Sequence, residues 1–213
     1  MSDSPAAAPD QFIHVVDDDE ALRDSLVWML ESNGYAVRPF DSAESFLDAY
    51  AEAMTGCIVL DVRMPGMSGL EMFDELGRRR CTLPVIFITG HGDVPMAVSA
   101  LKKGAADFIE KPFSDRDMLR LVEQCLEQER ASRAKRMLEA DTARRLEHLT
   151  QREREVLDLI IAGKLNKQIA DVLGISIKTV EVHRARVMEK MGANSLAELV
   201  QNVVTVEPGA ATR

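Results

Sequence analysis

The chain has 213 residues, 46% hydrophobic and 29% charged, with a formal net charge of −9. Its length and apolar share suit one large or two small packed domains, and its apolar runs, each a few residues long, exclude a membrane span. Cys57, Cys81 and Cys125 show no metal-ligand spacing, so buried free thiols are expected rather than zinc or a disulfide. The acidic, Pro-containing MSDSPAAAPD is unlike a secretory signal, and a cytoplasmic location is expected. The charge is uneven: residues 1–125 carry 11 Lys and Arg against 22 Asp and Glu, whereas residues 126–213 carry 15 against 13. Such asymmetry predicts two domains with different partners.

Residues 1–11 lack an apolar period and read as disordered. Phe12–Val16 is a buried strand followed by Asp17 and Asp18. A helix starts at Asp19-Glu20, aligns Leu22, Leu26, Met29 and Leu30, and ends at Asn33-Gly34; Trp28 is assigned to packing. Ala36–Phe40 is the second strand, and a helix capped by Asp41 or Ser42 runs to Ala53. Cys57–Leu60, the third strand, delivers Asp61 to a turn at Met64-Pro65-Gly66. The next helix runs from Gly69 to Gly77, and Arg78-Arg79-Arg80 reads as its solvated end rather than a nucleic-acid patch. Pro84–Ile88 leads to Thr89 and a glycine-flanked His91, read as a switch loop before a catalytic one. Val94-Pro95 opens a helix closing at Gly104, and Asp107–Glu110 brings Lys111-Pro112 to the fifth strand end. Strands and helices alternating in this way predict an α/β doubly wound five-stranded parallel sheet of the flavodoxin-like kind.

In such a sheet, ligands bind outside the carboxyl ends of the strands. Asp17, Asp18, Asp61, Thr89 and Lys111 all fall there. Crowded carboxylates repel unless they hold a proton or a hard cation, and oxygen donors in this number suit Mg²⁺. Asp61 then becomes a nucleophile toward phosphorus, with Lys111 and the cation stabilising charge.

This constellation resembles the receiver domain of two-component response regulators. The resemblance implies that a sensor histidine kinase phosphorylates Asp61. It also implies that Asp18, Asp61 and the backbone carbonyl of Arg63 bind Mg²⁺ while Asp17 assists, partly through water. Thr89 would bond the phosphoryl oxygen, Lys111 would pair with it behind a cis Lys111-Pro112 bond, and Phe108 would be the rotating aromatic of the switch. Pro95–Lys103 with Asp107–Glu110 would form a dimer face, and Arg63 and His91 would tune the phosphoryl lifetime.

The helix from Asp115 shows no stop signal, so residues 12–126 read as the receiver and 127–145 as a helical linker. Met137, Leu138 and Leu146 fit a short coiled-coil pairing and a solvated spacer equally. Residues 146–208 read as a four-helix domain, with 209–213 a disordered tail. Thr150 and Glu153 form a capping box before Val156, Leu157 and Ile160; Asn166 caps a second helix to Leu173. Gly174-Ile175-Ser176 turns into a helix over Ile177–Met191, and Ser195–Val203 is a fourth. The pair joined by that turn reads as helix-turn-helix. Lys178, Thr179, Glu181, Val182, Ala185 and Arg186 share the face opposite Val180, Val187 and Met191, with His183, Arg184 and Lys190 flanking. Such a face suits a major groove, with Glu181 accepting from cytosine. The text REREVL, NKQIA and TVEVHRARV closely resembles the LuxR-type DNA-binding domain, especially the version joined to FixJ-like receivers; Arg186 departs from the Asn common there. Residues 146–205 balance at 8 Lys and Arg against 8 Asp and Glu, so useful affinity for double-stranded DNA is expected of a dimer.

The resulting expectation is a response regulator that dimerises on phosphorylation, binds promoter DNA and engages RNA polymerase, with at most self-phosphorylation and self-dephosphorylation as activity. An aspartyl phosphatase of the haloacid dehalogenase type is disfavoured, because Arg63 stands where its second Asp belongs. A DNA-binding regulator whose receiver works without phosphate, or through another input, is the alternative.

Overall fold

Short runs of β-branched and apolar residues form five parallel strands: β1 (Phe12–Val16), β2 (Val37–Phe40), β3 (Gly56–Asp61), β4 (Val85–Thr89) and β5 (Asp107–Glu110). They lie in the order β2-β1-β3-β4-β5, the doubly wound arrangement expected. The computed structural model describes residues 10–90 and 94–206, with the backbone alone for 94–97. The expected disordered ends therefore lie largely, and His91 entirely, outside the described residues.

Helices α1 (Glu20–Ser32), α2 (Ala43–Ala49), α3 (Gly69–Arg78) and α4 (Val94–Lys102) alternate with the strands, and α5 (Asp115–Glu147) follows β5. Every residue of β3 is buried, as befits a parallel strand covered on both faces. On one face, Ile13, Val15, Val59 and Ile86 pack with Leu26, Leu30 and Val122. On the other, Ile58, Leu60 and Phe87 pack with Phe46, Met72 and Leu76. Burying side chains of this size contributes about 1.5–3 kcal/mol each. Because side chains alternate along each strand, both faces of β3 are committed to core, and only its C-terminal end is left to chemistry.

Two expectations need correction. Trp28 is 72% exposed instead of packed, because α1 buries the stripe of Leu26, Met29 and Leu30 and Trp28 points away from it. Helix α2 stops at Ala49, not Ala53, because its C-cap Tyr50 turns extended, with ψ 132°, and packs against the core beside Phe46. All three cysteines are free thiols; burial pushes the Cys57 thiol far up and that of Cys125 to about 11, leaving both inert.

The chain divides into two compact units between Ser132 and Arg133, with α5 beginning in the first and ending in the second. In the second unit, α6 (Gln151–Ile161), α7 (Asn166–Leu173), α8 (Ile177–Met191) and α9 (Leu196–Val206) enclose Val156, Leu157, Ile169, Val180, Val187, Leu199 and Val203. Leu146 joins this core, whereas Met137 and Leu138 are exposed. The Thr150–Glu153 capping box forms as expected. Helix α7, by contrast, is not capped by Asn166, which is its first residue. Leu165 stands at the cap, and its N–H donates to Gln168 Oε1 at 2.9 Å. Gly174 ends α7 in the left-handed region, φ 64°, which permits the sharp turn into α8.

Candidate functional site

The strand register aligns the ends of β1, β3, β4 and β5. Val16 lies beside Leu60, Asp61 beside Ile88, and Thr89 beside Glu110. The residues that follow are thereby delivered to one edge of the sheet, at the switch point where β1 and β3 adjoin. Lys111 Nζ donates to Asp61 Oδ1 at 2.6 Å and reaches Asp17 Oδ2 at 3.5 Å. The Lys111-Pro112 peptide is cis. Lys111 N–H also donates to the Thr89 carbonyl at 2.8 Å, tying the ends of β4 and β5 together.

Asp17, 1% exposed, is the most buried carboxylate of the site. Burial raises its pKa. The Asp19 amide, donating to Oδ1 at 2.9 Å, and the nearby Lys111 oppose that rise, while the charge of Asp61 adds to it. For Lys111, burial pulls the pKa down, but the hydrogen bond and charge of Asp61, then of Asp17, hold it above the usual value. The two carboxylates thus share one ammonium, which offsets their mutual repulsion. Asp61 Oδ2 accepts the Arg63 N–H at 2.7 Å, so its second oxygen is oriented by its own chain.

Thr89 is fully buried, and its Oγ1 has no hydrogen-bond partner among the described residues. A buried hydroxyl without a partner costs about 1–3 kcal/mol, and Thr89 ends β4, the strand next to the one that carries Asp61. Phe108 is half-buried on β5, level with Phe87 of β4. Asp18 lies at the exposed tip of the β1–α1 loop, and among the described residues no group of three or more His, Cys, Asp or Glu side chains is gathered around one metal position. Asp17 and Asp61 form the buried pair of the site, and Asp18, next in the chain after Asp17, is exposed. An all-oxygen set of this kind fits a hard cation that keeps several waters.

Two side chains that sequence reasoning passed over hold the loops of this site. Arg23 Nη1 donates to the Asp17 carbonyl at 2.8 Å, and Glu44 Oε1 accepts the Met67 N–H at 3.0 Å. Glu44 and Met67 lie on segments that only the fold brings together, and the Arg23 bond, to a carbonyl six residues earlier, follows no helix-capping pattern. Asp19, by contrast, is the N-cap of α1, as its place before the helix suggests.

In the second unit, Lys178, Glu181, Val182, Ala185 and Arg186 are exposed along α8, while His183 and Arg184 are half-buried. Val182 keeps 46% of its surface in solvent, an apolar side chain with no core role. Thr179 is half-buried at the helix start, its Oγ1 2.8 Å from Ser176 Oγ. Lys190 differs from the expected flanking cation. Its Nζ donates to Glu153 Oε2 at 2.6 Å and to the His148 carbonyl at 3.2 Å, so it is committed inside the domain. Glu153 is 2% exposed; the Lys190 hydrogen bond and then the Thr150 amide hold its carboxyl down to about 2.

Comparison with known proteins agrees with both halves of this geometry. Residues 13–123 match the family described as "Response regulator receiver domain", and residues 147–203 match "Bacterial regulatory proteins, luxR family". The transcriptional regulatory protein FixJ of Azorhizobium caulinodans is 51% identical over 189 residues, covering 89% of this chain and 90% of that protein. FixJ of Rhizobium meliloti is 50% identical over 192 residues, covering 90% and 94%. Among solved structures, the response regulator StyR superposes with a TM-score of 0.82 at 43% identity, covering 92% of this chain and 98% of that one. Full-length FixJ from B. japonicum gives 0.58 at 43%, covering 94% and 99%. No helix among the described residues is long and apolar enough to cross a membrane. The chain belongs to the FixJ-like response regulators, which join a receiver domain to a LuxR-type DNA-binding domain.

Proposed function

We propose that Asp61 is the phosphoacceptor of a two-component system and that its phosphorylation switches the second domain into promoter binding. The observation that carries this reading is the ammonium of Lys111 held by Asp61 and Asp17, with the Thr89 hydroxyl at the end of the neighbouring strand lacking a partner among the described residues. A carboxylate oxygen of Asp61 attacks the phosphorus of a phosphohistidine on a sensor kinase; a P–O bond forms as the P–N bond breaks. Lys111 then transfers its pairing from the carboxylate to the phosphoryl oxygens, and the Thr89 hydroxyl donates to one of them. Mg²⁺ is the cation assigned here: Asp18, Asp61 and the Arg63 carbonyl would hold it with Asp17 assisting, and it would neutralise the phosphoryl charge. Phe108 is the aromatic whose rotation follows engagement of Thr89. Arg63, exposed at the mouth of the site, tunes the phosphoryl lifetime, and His91 is assigned the same role.

The receiver spans residues 12–126, the helical linker 127–145 and the DNA-binding domain 146–208. The phosphorylated protein dimerises through α4 and β5 and through the apolar strip of Leu196, Val200 and Val204 on α9. In the dimer, α8 enters the major groove: Lys178 and Arg186 face phosphates or guanine, Val182 and Ala185 face bases, and Glu181 faces cytosine. Thr179, His183, Arg184 and Lys190 support that helix from its sides. The protein works in the cytoplasm, engages RNA polymerase at the promoter, and has no enzymatic activity beyond its own phosphorylation and dephosphorylation.

Incubation with acetyl phosphate and Mg²⁺, read by phosphate-affinity electrophoresis, tests the acceptor. Wild type should shift to a slower, acid-stable and alkali-labile band, and Asp61→Asn should not. A shift that persists in Asp61→Asn removes the assignment.

A further inference from the structure

The segment between β3 and α3, residues 62–68, carries the Arg63 carbonyl and frames Asp61. It is pinned where it leaves Asp61, by the Arg63 N–H on Oδ2, and where it returns, by the Gly69 N–H on the Val62 carbonyl at 3.1 Å. Between those points the turn at Met64-Pro65-Gly66 is held from outside by one side chain of α2. Glu44 Oε1 accepts the Met67 N–H at 3.0 Å, and Gly66, at φ 73°, lies so close that a Cβ there would come within 2.9 Å of the same oxygen. The next amide, Ser68, donates to Glu71 Oε2 at 2.9 Å, so two successive amides of the loop end on carboxylates.

Glu44 is well placed for this. It sits in the first turn of α2, behind the Ser42 cap and next to buried Ala43, and a carboxylate there is favoured by the helix dipole. Its backbone is therefore fixed on the core while its side chain reaches the loop. We infer that Glu44 is a positioning residue for the acidic site: by anchoring Met67 it holds the Arg63 carbonyl and the Asp61 carboxylate in the arrangement that accepts a divalent cation and a phosphoryl group. This rests on the reading of Asp61 as phosphoacceptor. Its action is through the loop, since the carboxylate bonds the amide at Met67 and not the reacting atoms.

The test titrates the full chain calorimetrically with Mg²⁺ alone and then with beryllofluoride in saturating Mg²⁺, for wild type, Glu44→Ala and Glu44→Gln, alongside thermal melts. Because the bond is charge-assisted but exposed, Glu44→Ala should bind both probes about three- to ten-fold more weakly while melting within a few degrees of wild type. Glu44→Gln keeps an acceptor oxygen and should recover wild-type binding to within about two-fold. Wild-type binding in Glu44→Ala overturns the inference. So does a loss in Glu44→Gln as large as in Glu44→Ala, which assigns the effect to charge instead of position. A wild type that binds neither probe overturns the reading of Asp61 itself.

Discussion

Replacing Gly69 by alanine should damage the site and the fold together, because the β3–α3 segment returns so closely to its starting strand. A Cβ at Gly69 would lie 2.0 Å from the Asp61 carbonyl oxygen, 3.0 Å from its carbonyl carbon and 3.2 Å from Leu60 Cγ. Ordinary contact begins near 3.4 Å, so backbone must separate from backbone by more than an ångström, at the residue that bears the nucleophile. Overpacking of this kind costs about 1–3 kcal/mol, equivalent to roughly 4–15 °C in the melting temperature of a domain of this size. A misplacement of about 1 Å at a reacting group lowers rates by up to about a hundred-fold. Scanning calorimetry and the rate of phosphorylation by acetyl phosphate measure the two effects. A Gly69→Ala protein that melts and phosphorylates like wild type refutes the close approach as a determinant of the site.

Acid should weaken the receiver through His14, which is buried on β1 among Phe12, Phe40 and Phe46. Burial, opposed by the Thr55 carbonyl and aided by the Arg38 charge, lowers its pKa from 6.5 to about 4. The neutral ring is the folded form, so its contribution is complete above pH 6.5 and declines as pH falls toward 4, reaching a loss of about 2 kcal/mol at pH 5. Urea melts of wild type and His14→Phe should diverge in slope over that window; parallel slopes contradict it. In the DNA-binding domain, Lys190→Ala strands the buried Glu153 carboxylate and should cost about 3 kcal/mol, read as a lower second melting transition. With Glu153 held down to about 2, its pairing contributes fully above the ordinary carboxylate value near 4.5 and is lost only as pH falls toward 2, below most of the His14 window. A Lys190→Ala domain as stable as wild type shows that the ion pair is dispensable.

The architecture was legible because its signals are local. Apolar strands alternating with helices, Asn33-Gly34, the Thr150–Glu153 box and the turn at Gly174 each fix a boundary through contacts within a few residues. The gathering of Asp17, Asp61 and Lys111 was legible for a related reason: a charged residue at the end of a buried strand has only the sheet edge to face. What escaped depends on which face or partner wins in three dimensions. Trp28 has the composition of a core residue and the helical phase of a surface one. Lys190 has the charge of a DNA contact, but Glu153 claims it from two helices away. Glu44 acts through a bond to the backbone of a segment 23 residues away, which sequence spacing does not encode.

The most direct measurement is the affinity of the full chain for promoter DNA, by fluorescence anisotropy with and without beryllofluoride and Mg²⁺, in wild type and Asp61→Asn, with oligomeric state followed by light scattering. Wild type should dimerise and bind at least ten-fold more tightly on adding beryllofluoride, and Asp61→Asn should not respond. An equal response in both proteins, or none in either, contradicts the claim that Asp61 is the switch of this regulator.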